Sequence, residues 1–156
     1  MSKPTTEELE LAGFLAKYTP EIAARADVIL AKMRRLYPTA VELVYDNYNA
    51  LAIGFAPSEK TSEAIFSIAV YPRWVSLFFL QAKGLVDRGK LLRGSGSVVR
   101  HIVLTTPEVL DDPGLVEWME QAVVTAKVPF AKDGGYRLVI KSVSAKQRPR
   151  RPVKAK

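Results

Sequence analysis

The chain has 156 residues, of which 48% are apolar and 25% charged, and it carries a net charge of +7 with no cysteine and one histidine. This length suits one domain that buries roughly two thirds of its unfolded-state surface. The lack of cysteine excludes disulfides, thiolate nucleophiles and cysteine-ligated metal sites, and His101 alone leaves little for a metal centre.

Two amphipathic helices are predicted at the start of the chain. Residues 6–18 place apolar side chains at helical spacing, and Thr5 with Glu8 has the pattern of a capping box. Thr19 and Pro20 then form a second helix start, because threonine caps well and proline fits the first helical position. This second helix should run to about Tyr37.

From Ala40 the apolar period changes from 3.6 to 2, and β-branched and aromatic residues become frequent. This pattern predicts four strands, at about 40–46, 50–56, 63–71 and 74–81. The linkers between them are too short for the crossover that parallel pairing requires. We therefore expect an antiparallel meander.

The rest of the chain adds a fifth strand at about 98–104, a third helix from Asp112 and Pro113, and a sixth strand at about 136–142. Together these elements predict a single α+β domain over residues 1–143. Its mainly antiparallel sheet of about five to six strands packs against N-terminal and C-terminal helices. Residues 144–156, which are basic and contain proline, should form a disordered tail.

No apolar run reaches the roughly 18–20 residues that a membrane helix needs. The first 20 residues also contain three glutamates where a signal peptide would need an apolar stretch. We therefore expect a cytoplasmic protein without a membrane partner. The sequence leaves the choice between monomer and homodimer open.

The positive charge is concentrated at the C-terminus. Residues 141–156 hold seven of the 23 basic residues and no acid, so 1–140 are left with 16 basic and 16 acidic residues. A basic extended tail predicts contact with a polyanion such as nucleic acid, and six phosphate contacts would give a log–log salt slope of roughly −5. A merely solubilising tail is the alternative. The residues proposed for anion binding are Lys146, Arg148, Arg150 and Arg151.

A second basic stretch follows the fourth strand. Residues 84–90 match a P-loop, G-x-x-x-x-G-K, through Lys90, but Leu91 stands where magnesium needs serine or threonine, and Asp87 would repel phosphate. The strand before it also belongs to an antiparallel meander, whereas the strand before a P-loop belongs to a βαβ unit. A basic, glycine-rich connection is the simpler interpretation, with an anion site or a solvated loop as alternatives. Its candidate anion-binding residues are Lys83, Arg88, Lys90, Arg93 and Arg100.

The turn after the first strand is rich in aromatic and amide groups. Tyr45, Asp46, Tyr48 and Asn49 could line a small-molecule or base-stacking pocket, or simply form a hairpin. No catalytic residue is predicted, because neither Ser95 nor Ser97 can meet His101 without a folded-back turn. No cofactor is predicted either.

Several segments together resemble the YdhG-like family of bacterial domains, over about residues 15–150. They read "AVELVYDNYNALAIGF", "SIAVYPRWVSLFFLQ", "LLRGSGSVVRHIVL", "LDDPGLVEWM" and "RLVIKSVSAKQRPRRP". The resemblance implies an α+β domain similar to frataxin and no established reaction. It also implies an alternative function as an iron chaperone, for which Glu7, Glu8 and Glu10 are the nearest match to an acidic helix surface.

The sequence thus favours a binding module that takes an anionic partner, nucleic acid or another phosphate-bearing ligand, on its basic segments. Iron delivery is the first alternative. An enzyme of unknown reaction that uses Tyr45–Asn49 together with the basic loop is the second.

Overall fold

A computed structural model of the chain describes residues 3–82, 99–134 and 136–152. These residues form three α-helices and six strands in a single α+β domain, as predicted. The helices are α1 (Thr6–Leu15), α2 (Pro20–Leu36) and α3 (Pro113–Thr125). The strands are β1 (Val41–Asp46), β2 (Leu51–Ala56), β3 (Phe66–Val70), β4 (Val75–Phe79), β5 (Arg100–Val103) and β6 (Arg137–Val143).

Each helix begins at the cap that its sequence predicts. The side chains of Thr5, Thr19 and Asp112 accept hydrogen bonds from the backbone N–H groups of Glu8, Ile22 and Gly114. These bonds satisfy N–H groups that have no partner within the helix. The first helix ends at Leu15 rather than at residue 18, so Tyr18 turns away from it into the core, where it is 1% exposed.

The strands lie in the order β5-β4-β3-β2-β1-β6. Strands β1 to β5 pair antiparallel in succession, which confirms the predicted meander, whereas β6 pairs parallel with β1. The predicted third strand starts late, because residues 61–63 form a 3₁₀ turn. The parallel pairing of β6 carries the C-terminus to the end of the sheet that also holds the β1–β2 and β3–β4 turns.

One face of the sheet carries the main core. Alternate residues of the strands, such as Ile53, Ile68 and Leu77, pack against apolar residues of all three helices. Because strand side chains alternate between faces, small residues such as Ala52 and Ala69 then point to the face opposite the helices. Within the part of the chain that the structure describes, no helix is both long and apolar enough to span a bilayer.

Strand β1 also places two carboxylates on the helix side of the sheet. Glu42 and Asp46 are both fully buried, and each is paired with basic side chains. Glu42 accepts two hydrogen bonds from the guanidinium of Arg34 on α2, at 2.8 and 2.9 Å. This hydrogen bonding raises the pKa of Arg34. A buried carboxylate is tolerated only with such partners, so each pair fixes a neighbouring segment to β1.

Residues 144–152, for which the sequence predicts disorder, follow β6, and we call them the C-terminal segment. This segment has no helix or strand, but its backbone continues the pairing beyond β6, since Ser144 N–H donates to the carbonyl of Asp46 at 2.8 Å. Arg148 N–H donates to the carbonyl of Tyr48 at 2.8 Å. Composition predicts disorder because it cannot show that Arg150 of this segment pairs with the buried carboxylate of Asp46.

Candidate functional site

The C-terminal segment is held on the domain by the carboxylate of Asp46. Arg150 Nη2 lies 2.9 Å from Asp46 Oδ1, and Lys17 Nζ lies 2.8 Å from Oδ2. Gln147 bridges the two sides, since its Oε1 accepts from Lys17 at 3.0 Å and its Nε2 donates to the Asp46 carbonyl at 3.1 Å. We call Lys17, Asp46, Gln147 and Arg150 the Asp46 cluster.

Burial makes this cluster unlike a surface ion pair. The Asp46 and Arg150 side chains are 1% and 3% exposed, and Arg150 also donates to the carbonyls of Asn47 and Tyr48. Its guanidinium carbon lies 5.9 Å from the centre of the Tyr18 ring. Burial by itself raises the pKa of Asp46, but the hydrogen bonds from Lys17, Gln147 and Arg150 outweigh it and hold that pKa below its usual range.

Tyr18 ties the same end of the sheet together. Its hydroxyl donates to the Val70 carbonyl at 2.7 Å and accepts from Leu51 N–H at 3.1 Å, so it joins the start of β2 to the end of β3. Burial raises the pKa of Tyr18 to about 12. The phenol therefore stays protonated at neutral pH and can donate this hydrogen bond.

On the surface next to the cluster, the C-terminal segment and the β3–β4 turn enclose a groove of about 570 Å³. We call it the arginine groove, because Arg73, Arg148 and Arg151 line it and all three are exposed. Among the described lining residues none is acidic, and the others are Asn49, Tyr71, Pro72, Trp74, Pro149 and Pro152. The groove therefore combines positive charge with apolar and aromatic surface.

The aromatic wall of this groove is a stacked pair. The Tyr71 and Trp74 rings are 4.7 Å apart between centroids and 23° apart in plane, and a hydrogen bond of 2.9 Å from Tyr71 N–H to the Trp74 carbonyl closes the turn between them. Trp74 remains 41% exposed. Arg151, which also lines the groove, donates from its guanidinium Nε to the Lys17 carbonyl at 3.2 Å.

A second concavity of about 520 Å³ adjoins the groove on the sheet face opposite the helices. We call it the sheet-face cavity. Its floor consists of small residues from neighbouring strands, including Ala52, Ser67 and Ala69, and Phe78 stands at one side. Phe78 stacks on His101, with their ring centroids 4.8 Å apart. Asn49 and Tyr71 line both the cavity and the groove, so the two concavities lie next to each other.

The residues predicted at the first turn are divided between the two faces of the sheet. Tyr48 and Asn49 line the sheet-face cavity, but Asp46 points to the opposite face into its buried cluster. Tyr45 shares a short hydrogen bond with Thr61, and it is not among the described residues that line the cavity. Asp46 is therefore separated from Tyr48 and Asn49, because side chains alternate between the two faces along a strand.

The basic residues predicted to bind an anion also differ in their positions. Arg148 and Arg151 reach the arginine groove, and Lys146 is exposed on the same segment. Arg150 is instead engaged with Asp46 and is not among the described residues that line the arginine groove. Arg100 lies half-buried on β5, whereas Lys83, Arg88, Lys90 and Arg93, with the whole P-loop-like stretch, lie outside the described residues.

The acidic residues of the iron hypothesis lie on an exposed part of α1. Glu7, Glu8 and Glu10 border a groove beside β6, together with Glu59 and Arg137. Arg137 pairs with Glu59 at 3.2 Å. Over residues 3–82, 99–134 and 136–152, no three histidine, cysteine, aspartate or glutamate side chains are grouped so that they could hold a metal ion.

Sequence reasoning missed Arg73, Tyr71 and Trp74 as site residues. They appear in the sequence as "YPRW", a turn between two strands, and a tryptophan beside an arginine in that turn was the available signal. No family model, curated protein or solved structure matches this chain. The resemblance to the YdhG-like family, with its frataxin-like fold, therefore stays a prediction.

Proposed function

We propose that the protein is a binding module that takes a phosphate-bearing ligand, foremost nucleic acid, in the arginine groove. One observation carries this proposal: Arg73, Arg148 and Arg151 line a single groove beside a stacked, partly exposed aromatic pair, and no described lining residue is acidic. Charge alone would favour any anion. The aromatic wall favours one that also has a flat, stackable group.

The chemistry of these side chains supports phosphate as the ligand. A guanidinium group presents a planar fork of N–H donors that matches two phosphate oxygens, and it remains charged at every physiological pH. Exposed tryptophan adds a surface on which a nucleobase can stack, whatever its sequence. Single-stranded nucleic acid offers both groups in one chain.

The Asp46 cluster gives the groove a fixed wall. Arg148 and Arg151 belong to a segment without helix or strand, and such a segment would be ordered only on binding if nothing held it. The buried ion pair with Asp46 fixes Arg150, which lies between Arg148 and Arg151 in the chain. Preorganisation of this kind lowers the entropic cost of binding.

Fluorescence anisotropy with a labelled single-stranded oligonucleotide tests the proposal. Substitutions suit this test better than truncation after Val143, because truncation would also remove Arg150, one of the two cationic partners of Asp46. We expect Arg73→Gln and Arg148→Gln each to weaken binding severalfold and the double variant to weaken it more, since each removes one phosphate contact.

Arg35→Gln is the matched control, because this arginine is exposed near the end of α2 and does not line the groove. It removes the same charge from the protein, so a loss equal to that of the groove variants would point to net charge alone. Equal affinities for all variants, or no binding by the wild type at low salt, would rule out the proposed function.

A further inference from the structure

The sheet-face cavity has the shape of a shallow site for a flat ring. Its floor is made of small side chains, such as Ala52, Ser67 and Ala69, which lie side by side on β2 and β3. Aromatic side chains rise at its borders, with Tyr48 and Tyr71 at the turn end and Phe78 on β4. A floor of small residues between aromatic walls leaves room for a ring that contacts apolar surface on several sides.

The rim of the cavity carries polar groups at the end that meets the arginine groove. Asn47 and Asn49 belong to the β1–β2 turn, and Ser144 opens the C-terminal segment. Each asparagine side chain offers a donor pair and an acceptor, which is the combination that reads the hydrogen-bonding edge of a base. An apolar ring without polar edges would leave these groups without use.

The two concavities share Asn49 and Tyr71, so one ligand can reach both. A ligand that fits must carry negative charge at one end and a flat, polar-edged ring at the other. The three arginines together hold more positive charge than one phosphodiester neutralises, which favours a strand with successive phosphates. A duplex cannot supply the ring, because its bases remain paired and stacked inside.

We infer that the site takes single-stranded nucleic acid in two parts, with backbone phosphates in the arginine groove and one unstacked base in the sheet-face cavity. This inference rests on the proposed function, since it needs phosphate to occupy the groove. It adds a base subsite on the sheet, and it makes the protein selective for single strands.

Two labelled probes separate the two parts of the site. The first is a single-stranded DNA of about eight nucleotides, a length within the range that one small binding domain covers. The second is linear polyphosphate, which has the charge but no base. Ala52→Leu places a larger side chain on the floor of the cavity. Ala52→Ser is the control, because serine keeps the side chain at this position small. We expect Ala52→Leu to weaken DNA binding about tenfold and to leave polyphosphate binding unchanged.

Each outcome decides a different point, once circular dichroism and thermal unfolding show that the variant is folded. If folded Ala52→Leu weakens neither probe, or both equally, the base subsite is wrong while the groove stands. If the wild type binds neither probe, the proposed function fails as well. A duplex or a free nucleoside monophosphate that competes as well as the single strand would overturn the strand selectivity. Ala69→Leu repeats the test if Ala52→Leu does not fold.

Discussion

Asp46 at the end of β1 and Arg150 in the C-terminal segment form an ion pair of 2.9 Å, although 104 positions separate them in the chain. Both side chains are almost completely removed from solvent. The pair lies next to the arginine groove and belongs to the fold rather than to the proposed ligand site. Its role is to position the arginines on either side of Arg150.

Asp46→Asn should destabilise the protein strongly. The substitution keeps the shape of the side chain but leaves Arg150 and Lys17 without their anion, and removing one partner of a buried ion pair costs about 3–5 kcal/mol. Urea denaturation measures this change in the free energy of unfolding. Asp27→Asn is the control, since Asp27 is exposed on α2, and its cost should stay within about 0.5 kcal/mol. Similar losses for both variants would contradict the structural role of Asp46.

Acid should lower the unfolding free energy of the wild type by protonating Asp46. Because the folded-state pKa of Asp46 is lowered, its contribution is fully present above the unfolded-state pKa of about 3.9. That contribution is lost as pH falls through the still lower folded-state pKa. Chemical denaturation at a series of pH values should therefore give a steeper acid loss for the wild type than for Asp46→Asn. Parallel curves of unfolding free energy against pH for the two proteins would show that Asp46 does not cause the loss of stability in acid.

Alkali should lower the stability of the protein by deprotonating Tyr18. Burial raises its pKa from 10.0 to about 12, so the stability that its protonated form provides is complete below pH 10.0 and is lost as pH rises through about 12. Tyr37 and Tyr136 also titrate at about 12. In a spectrophotometric titration of tyrosinate, Tyr18→Phe should remove one late-titrating group. Loss of an early-titrating group instead would show that the Tyr18 hydroxyl is not buried.

The salt dependence of binding should be modest. Arg150 is engaged with Asp46, so among the described residues the groove offers three arginines for phosphate contacts. With a single strand, three contacts give a slope of about −2 in a plot of log affinity against log salt concentration. Arg148→Gln should make the slope shallower by about 0.7. A slope near −5 would mean that more basic residues reach the ligand than the groove contains.

Tryptophan fluorescence should report ligand stacking at one position. The chain has two tryptophans, of which Trp74 is 41% exposed in the groove and Trp118 is 6% exposed in the core. Oligonucleotide binding should quench the wild type and Trp118→Phe, but not Trp74→Phe, because a base can stack only on the exposed ring. Quenching that persists in Trp74→Phe would show that the ligand does not stack on the aromatic wall of the groove.

Much of the fold follows from local properties of the sequence. The change of apolar period at Ala40 predicted where helices give way to strands, and linkers as short as Pro72-Arg73 required antiparallel pairing. Thr5, Thr19 and Asp112 marked the helix starts correctly. These features are local, because a side chain caps a helix, or a turn joins two strands, within a few residues.

The candidate site, in contrast, depends on contacts between distant segments. The amino-acid composition of residues 141–156 makes the C-terminus basic, and it predicts a disordered tail. The parallel pairing of β6 with β1 is visible only in the folded chain, and it brings Arg150 to Asp46 and Arg148 and Arg151 into one groove with Trp74. Burial turns an acid that looked like a turn residue into the anchor of that segment, since a buried charge must find its partner wherever the chain supplies one.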